Sequence, residues 1–377
     1  MKRTITLATL AGAGAAVAAL CLPATAGADQ FDGQRGAPVY VQTNDITGNQ
    51  IVTYVPTSHG GLRQVERVGT GGLGVALGGA AVDDLASQGS LASDPSDQLL
   101  VGVNGGSNTI SVFHTFGPYI GLRRVVASGG TIPVSVAVRG GLIYVLNAGG
   151  AGEVQGFSAS TLRPIPGSAH SLGLTPGATP QFLNTPGQIG FSPDGRHIIV
   201  TTKANGSDID TFAVSASGAL GSPTVNPSAT PVPFGFTFDR FGHLVVTEAG
   251  TSAVTTYALN PAGTVTELGS VTDGLKALCW VANDANRFFF GSNAGSATVT
   301  SYTVGANGQP SQVGTAATDA GPIDLVASPD GSSLYVETGG SDLVDTYAVT
   351  FRGALVPTGN VAPELPGHTG LEGIAVG

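Results

Sequence analysis

From about residue 37 onward, apolar positions come in short runs rich in Val, Ile, Thr and Tyr, and each run stops at a turn containing Gly. The clearest unit runs IDLVAS (323–328), a Ser-Pro-Asp-Gly turn, SLYVET (333–338), a Gly-Gly turn, LVDTYAV (343–349), a polar turn and ALVPTG (354–359). Branched and aromatic side chains suit a pleated surface, and Asp-Gly and Gly-Gly supply the backbone that tight hairpins need. Each unit therefore predicts four antiparallel strands. No stretch after residue 28 keeps the apolar spacing of a helix.

The same hairpin recurs. FGSNAGSATVTSY (290–302) has close relatives in VVTEAGTSAVTTY (245–257), YVETGGSDLVDTY (335–347) and VTTKANGSDIDTF (200–212). The residue before the hairpin turn is Asn44, Asn104, Asn147, Lys203, Glu248, Asn293 and Thr338 in turn, at spacings of 60, 43, 56, 45, 45 and 45. An aromatic follows nine or ten residues after each: Tyr54, Phe113, Phe157, Phe212, Tyr257, Tyr302 and Tyr347. Four-stranded units at this period predict an all-β, seven-bladed β-propeller over residues 37–377. The first unit opens at PVYVQTN (38–44) without an innermost strand, and the chain ends in EGIAVG (372–377), a strand without a sheet. Pairing the two would close the ring in blade 1 and remove two open sheet edges.

Composition changes this picture only at the ends. Lys2 and Arg3, the apolar run from Ile5 to Leu22 and the small residues Ala26-Gly27-Ala28 read as a cleaved signal peptide over 1–28, followed by a flexible arm over 29–36 and implying export. Of 15 basic residues, Lys2 and Arg3 leave with the leader, so a net charge of −10 falls to about −12. Such a chain gains no counterion-release affinity for nucleic acid, and no later run is long enough for membrane insertion. Cys279 alone remains after cleavage, so no internal disulfide forms and stability rests on the core. We expect a monomer without a cofactor, taking a small-molecule ligand or substrate.

In a propeller, the loops entering each innermost strand and the turns between second and third strands share one face, here called the top. The Asn markers suit the turn itself. Lys203 and Glu248 break the pattern in adjacent blades. They could pair on the rim, or face the central pocket as anion holder and general base. The entering loops add Gln88, Ser135, Gln188, Phe234, Trp280, Asp324 and Glu372, a mix that suits a small-molecule pocket or a plugged channel mouth. Gly69–Gly74 lacks the Lys of a phosphate loop and reads as a flexible loop; Asp83-Asp84 lacks calcium-loop spacing; and the six histidines are not spaced as metal ligands. His368 is the one His placed near the top.

FSPDGR (191–196), ASPDG (327–331), YVLNAGG (144–150), GSNAGSATVTSY (291–302) and SQGSL (87–91) together resemble the lactonase-type seven-bladed propellers, which include 6-phosphogluconolactonases and carboxymuconate-lactonising enzymes. The resemblance implies lactone hydrolysis or formation in the top-face pocket; from the residues themselves, such a hydrolase would use Glu248 as base and Lys203 or Gln188 on the oxyanion. The chain departs from the family in its cations. Arg196, Arg240 and Arg287 fall on the bottom of their blades, which leaves Lys203 and Lys276 on the top rim and makes a phosphosugar a poor substrate. Two functions stay open: an exported hydrolase or cyclase acting on a neutral lactone, and a non-catalytic propeller that binds a ligand or surface.

Overall fold

The computed structural model describes residue 1 and residues 36–284, 287–363 and 370–377. Of the expected leader over 1–28 only residue 1 is described, and of the arm over 29–36 only residue 36; His368 lies outside the described residues. No helix among the described residues is long and apolar enough to cross a membrane.

Seven four-stranded antiparallel sheets form the ring. Their innermost strands are Ile374–Val376, Leu91–Asp94, Pro133–Arg139, Gln188–Phe191, Pro233–Phe238, Leu278–Asn283 and Pro322–Ala327, for blades 1 to 7. Each of these touches the innermost strands on either side, so the circle is complete. Closure runs as the sequence predicts. Ile374–Val376 pairs antiparallel with Val39–Gln42, with Val39 opposite Val376 and Val41 opposite Ile374.

The turns follow from local chemistry. At the bottom of blade 7, Ser328 Oγ donates to Asp330 Oδ1 (2.6 Å) while the Gly331 amide donates to the Ser328 carbonyl (2.8 Å). Gly331 sits at φ +70°, where a side chain would be strained. The Ser192-Pro-Asp-Gly turn of blade 4 repeats these bonds. The top hairpins differ from the sequence expectation in one respect. Asn104 (φ −128°) and Asn293 (φ −105°) are not left-handed, although Asn44 (φ +51°) and Lys203 (φ +54°) are; a left-handed residue also lies four positions after five of the markers, at Asn108, Ser207, Ser252, Ala297 and Asp342. The two asparagines instead serve through their amides. Asn104 Nδ2 donates to Ser111 Oγ (2.8 Å) and Asn293 Nδ2 to Thr300 Oγ1 (3.0 Å), tying second strand to third.

The seven repeat aromatics on the third strands are each at most 2% exposed. Burying one such ring stabilises the packing between blades by about 2–3 kcal/mol. The valines and isoleucines of the middle strands fill the remaining gaps, as in the cluster of Val101, Val103, Val136, Val145, Ile198 and Phe212 across blades 2 to 4.

Candidate functional site

The top of the axis is occupied by the chain itself. The segment 83–90, which leads into the innermost strand of blade 2, is bonded to the blades around it. Leu85 N donates to Glu372 Oε1 (3.0 Å) beside blade 1, and Ser87 Oγ to the Val134 carbonyl (2.7 Å) of blade 3. Gln88 N donates to the Gly187 carbonyl (3.0 Å) at blade 4, and Gly89 N to Asp324 Oδ2 (3.1 Å) of blade 7. In blade 6, Gln88 Nε2 donates to the Val281 carbonyl (2.8 Å), Val281 N donates back to Gln88 Oε1 (3.0 Å), and Trp280 Nε1 donates to the Ser87 carbonyl (2.9 Å). In blade 5, Gly235 leaves the room Gln88 needs, since a Cβ there would collide with Gln88 Oε1 and the Cys279 carbonyl. Of the two alternatives in the sequence, a pocket or a plugged mouth, the geometry is that of the plug.

A cluster of ionisable groups surrounds the plug. Asp83 heads it, accepting from the amides of Ala86 (2.5 Å) and Ser87 (3.1 Å). Lys203 is fully buried; its ammonium donates to the carbonyls of Ala86 and Phe182 and to Thr185 Oγ1 (3.1 Å), and lies 5.1 Å from the centre of the Phe234 ring. Burial pulls the Lys203 pKa down to about 7, against the opposing charge of Asp83. Burial likewise pushes Asp83 up to about 6 and Asp324 up to about 7. Glu337 and Glu372 are raised well above the usual carboxylate range, Glu372 by burial and then by the charge of Asp83. Burial also raises the Cys279 thiol, which leaves it un-ionised and unreactive.

A second loop covers this arrangement. The short helix Gln181–Asn184 precedes blade 4, and Gln181 Oε1 accepts from Gly78 N (2.8 Å). Gly78 belongs to the same long connection as the plug, so the two insertions meet over the top face. The stretch Gly69–Gly74 is tightly packed rather than loose: a Cβ on Gly72 would strike Asn104, and one on Gly74 the Asn44 backbone.

Seven of the sequence candidates come together at the axis: Lys203, Gln88, Ser135, Phe234, Trp280, Asp324 and Glu372. Ser135 Oγ donates to the Gln88 carbonyl (2.6 Å), and the Phe234 and Trp280 rings meet edge to face at 5.0 Å. Gln188 bridges blades 4 and 5, its Oε1 accepting from Phe236 N (2.6 Å). Asn104, Asn147 and Asn293 stay within the hairpin frame; Asn147 Nδ2 donates to the Ser128 carbonyl (3.3 Å). Glu248 does not join Lys203, and no ion pair between them exists among the described residues. Its Oε1 accepts from Ser228 Oγ (2.5 Å) and the Tyr257 hydroxyl, and its Oε2 from Thr255 Oγ1 (2.6 Å) and the Thr230 hydroxyl. Two of those hydroxyls come from the third strand of its own blade and two from the loop entering it. The carboxylate is therefore a clamp between blade and loop.

Asp83 and Glu337 belong to the axial cluster and were not among the sequence candidates. Both left a signal. The first marker spacing of 60 exceeds the 45-residue repeat, and the excess length is the plug that carries Asp83. Glu337 stands where the other hairpins have Thr43, Val103, Leu146, Thr202, Thr247 and Ser292, an acid at a position otherwise apolar or small.

No protein-family model matches the chain, and neither does any curated protein. Solved structures do share its fold. A candidate 6-phosphogluconolactonase from Bacteroides uniformis matches with TM-score 0.71 at 19% identity, covering 91% of this chain and 100% of that one. Its counterpart from Bacteroides fragilis gives 0.70 at 16%, covering 91% and 98%. The periplasmic gluconolactonase of Pseudomonas aeruginosa gives 0.67 at 17%, covering 89% and 98%. The architecture is that of the lactonase-type seven-bladed propellers, as the sequence resemblance implied.

Proposed function

We propose that this chain is an exported propeller that binds rather than hydrolyses, with the lactonase-type scaffold kept and its axis turned into a sealed core. One observation carries the proposal: the segment 83–90 fills the top of the axis, and Lys203 and Glu248, the pair the sequence offers for catalysis, are both engaged with the chain. Lys203 donates to two carbonyls and a hydroxyl, and Glu248 accepts from four hydroxyls. A general base needs a lone pair within hydrogen-bond reach of water, and an oxyanion needs donors that are not committed elsewhere. The test is a panel of neutral lactones, including glucono-δ-lactone, assayed with the purified protein. Hydrolysis at the uncatalysed rate is expected. Turnover that Lys203→Gln abolishes while the fold persists would overturn the proposal.

A second reading rests on the perturbed titration of the axial cluster. A lysine lowered to about 7 beside carboxyls raised to about 6 and 7 is the kind of arrangement found at active sites. The neighbour named as a gluconolactonase supports the same direction. Under that reading the plug and the 172–187 loop lift away together. Lys203 then holds the lactone carbonyl oxygen, and Glu372, released from the Leu85 amide and left beside blade 1, takes the proton from the attacking water. Glu248 has no part in it.

A further inference from the structure

The bottom face, which carries the turns between first and second strands, is where the chain concentrates its arginines. Blades 3 to 6 each place one there: Arg139, Arg196, Arg240 and Arg287. The first two are engaged. Arg139 Nη2 donates to the Pro193 carbonyl (2.8 Å), and Arg196 Nε lies 3.8 Å from Asp194 Oδ2. Arg240 and Arg287 are exposed, and neither guanidinium pairs with a carboxylate among the described residues.

These two arginines line a pocket of about 500 Å³ between blades 5 and 6. Its walls include the rings of Phe238, Phe241 and Phe289. The nearby acids hold the turns. Asp239 accepts from the amides of Phe241 and His243 (both 2.8 Å) and from His243 Nδ1 (2.7 Å). Asp284 Oδ1 accepts from the amides of Arg287 (2.6 Å) and Phe288 (2.9 Å). Each guanidinium lies over the ring that follows it, Arg240 at 4.8 Å from the Phe241 centre and Arg287 at 5.1 Å from that of Phe288. A guanidinium held by its face keeps its N–H edge available, and that edge matches a carboxylate with two parallel bonds.

We infer that this pocket binds an aromatic carboxylate, its flat ring between the phenylalanines and its carboxylate between Arg240 and Arg287. A cavity of this size suits a small molecule of one or two fused rings. Apolar walls alone would accept a neutral ring equally well. Two arginines that pair with no carboxylate among the described residues select the acid. The site lies on the face opposite the plug and does not depend on how the lactone assay falls.

The test is calorimetric titration of the full chain with 2-naphthoate, with the neutral 2-naphthalenemethanol and with inorganic phosphate. The acid is expected to bind at least tenfold more tightly than the alcohol and than phosphate. Arg240→Gln with Arg287→Gln should weaken it at least tenfold with the thermal midpoint and any lactone turnover unchanged. Acid and alcohol binding alike, phosphate competing as strongly as naphthoate, no heat from naphthoate, or full binding by the double variant would each overturn the assignment.

Discussion

The two ends of the propeller treat charge in opposite ways. At the top, Lys203 and the carboxyls of Asp83, Asp324, Glu337 and Glu372 are withdrawn from water; all but Glu337, which accepts from the Gly373 amide, bond to the plug or belong to it. At the bottom, Arg240 and Arg287 stand in solvent beside an apolar pocket, without a carboxylate partner among the described residues. A buried charge is costly unless it is paired and hydrogen-bonded, so the top cluster must be well made simply for the chain to fold. An exposed guanidinium costs little to keep, and its position against phenylalanine rings is of use mainly to a ligand. Perturbed titration and usefulness to a ligand thus part company in this molecule. The groups with shifted titration are buried with the plug, and the exposed arginines line the cavity.

The comparison can be broken at several points. Removing residues 370–377 takes away the strand that closes blade 1 and Glu372 with it. It should abolish cooperative unfolding in calorimetry and produce self-association through the exposed edge of Val39–Gln42. Lys203→Met leaves the Ala86 and Phe182 carbonyls without a donor and Asp83 without its cation, and should cost about 3–5 kcal/mol in urea denaturation. Glu248→Gln should cost about 1–3 kcal/mol, because two of its four hydroxyl partners must reorient. The two variants together should add to within about 0.5 kcal/mol, since the residues share no partner. Strong coupling would restore the rim pair. Arg287→Gln should change stability by less than about 0.5 kcal/mol while weakening naphthoate binding.

pH sharpens the same contrast. Asp324 titrates at about 7 in the fold and at about 3.9 unfolded. Between these values the folded chain keeps a proton that the unfolded chain has released, so stability falls as pH rises through that window. Asp324→Asn should flatten the slope, as read from thermal midpoints between about pH 4 and 7. Lys203 runs the other way. Its folded pKa of about 7 lies below its unfolded value, so above pH 7 its contribution rises with pH toward about 10.4.

How much of this was legible in the sequence depended on repetition. The blades could be read because seven copies share their turns and aromatics, and even the closing strand announced itself as a strand without a sheet. A plugged mouth could be read only as one of two alternatives, because the segment that fills it occurs once. Asp83, Leu85 and Gln88 have no counterpart in other blades to compare with, and only the long first spacing marked the insertion. Lys203 and Glu248 were visible as departures from Asn, but a marker position does not fix side-chain direction. Lys203 turns inward from a left-handed backbone at φ +54°, while Glu248 is drawn outward by Tyr257 and Thr255. The bottom pocket was hidden for a different reason. Its arginines were correctly placed on the bottom, but the space between blades 5 and 6 is set by packing and leaves no mark in the spacing.

Hydrogen exchange at the backbone amides of Ala86, Ser87 and Gly89 tests the sealed axis most directly, since these donate to Asp83 and Asp324 deep in the top face. If the axis is core, they exchange only as slowly as the middle strands, through global unfolding, and lactones leave them unchanged. Exchange on the timescale of surface loops, quickened or slowed by a lactone, would mean that the top face opens and that the site of chemistry is there after all.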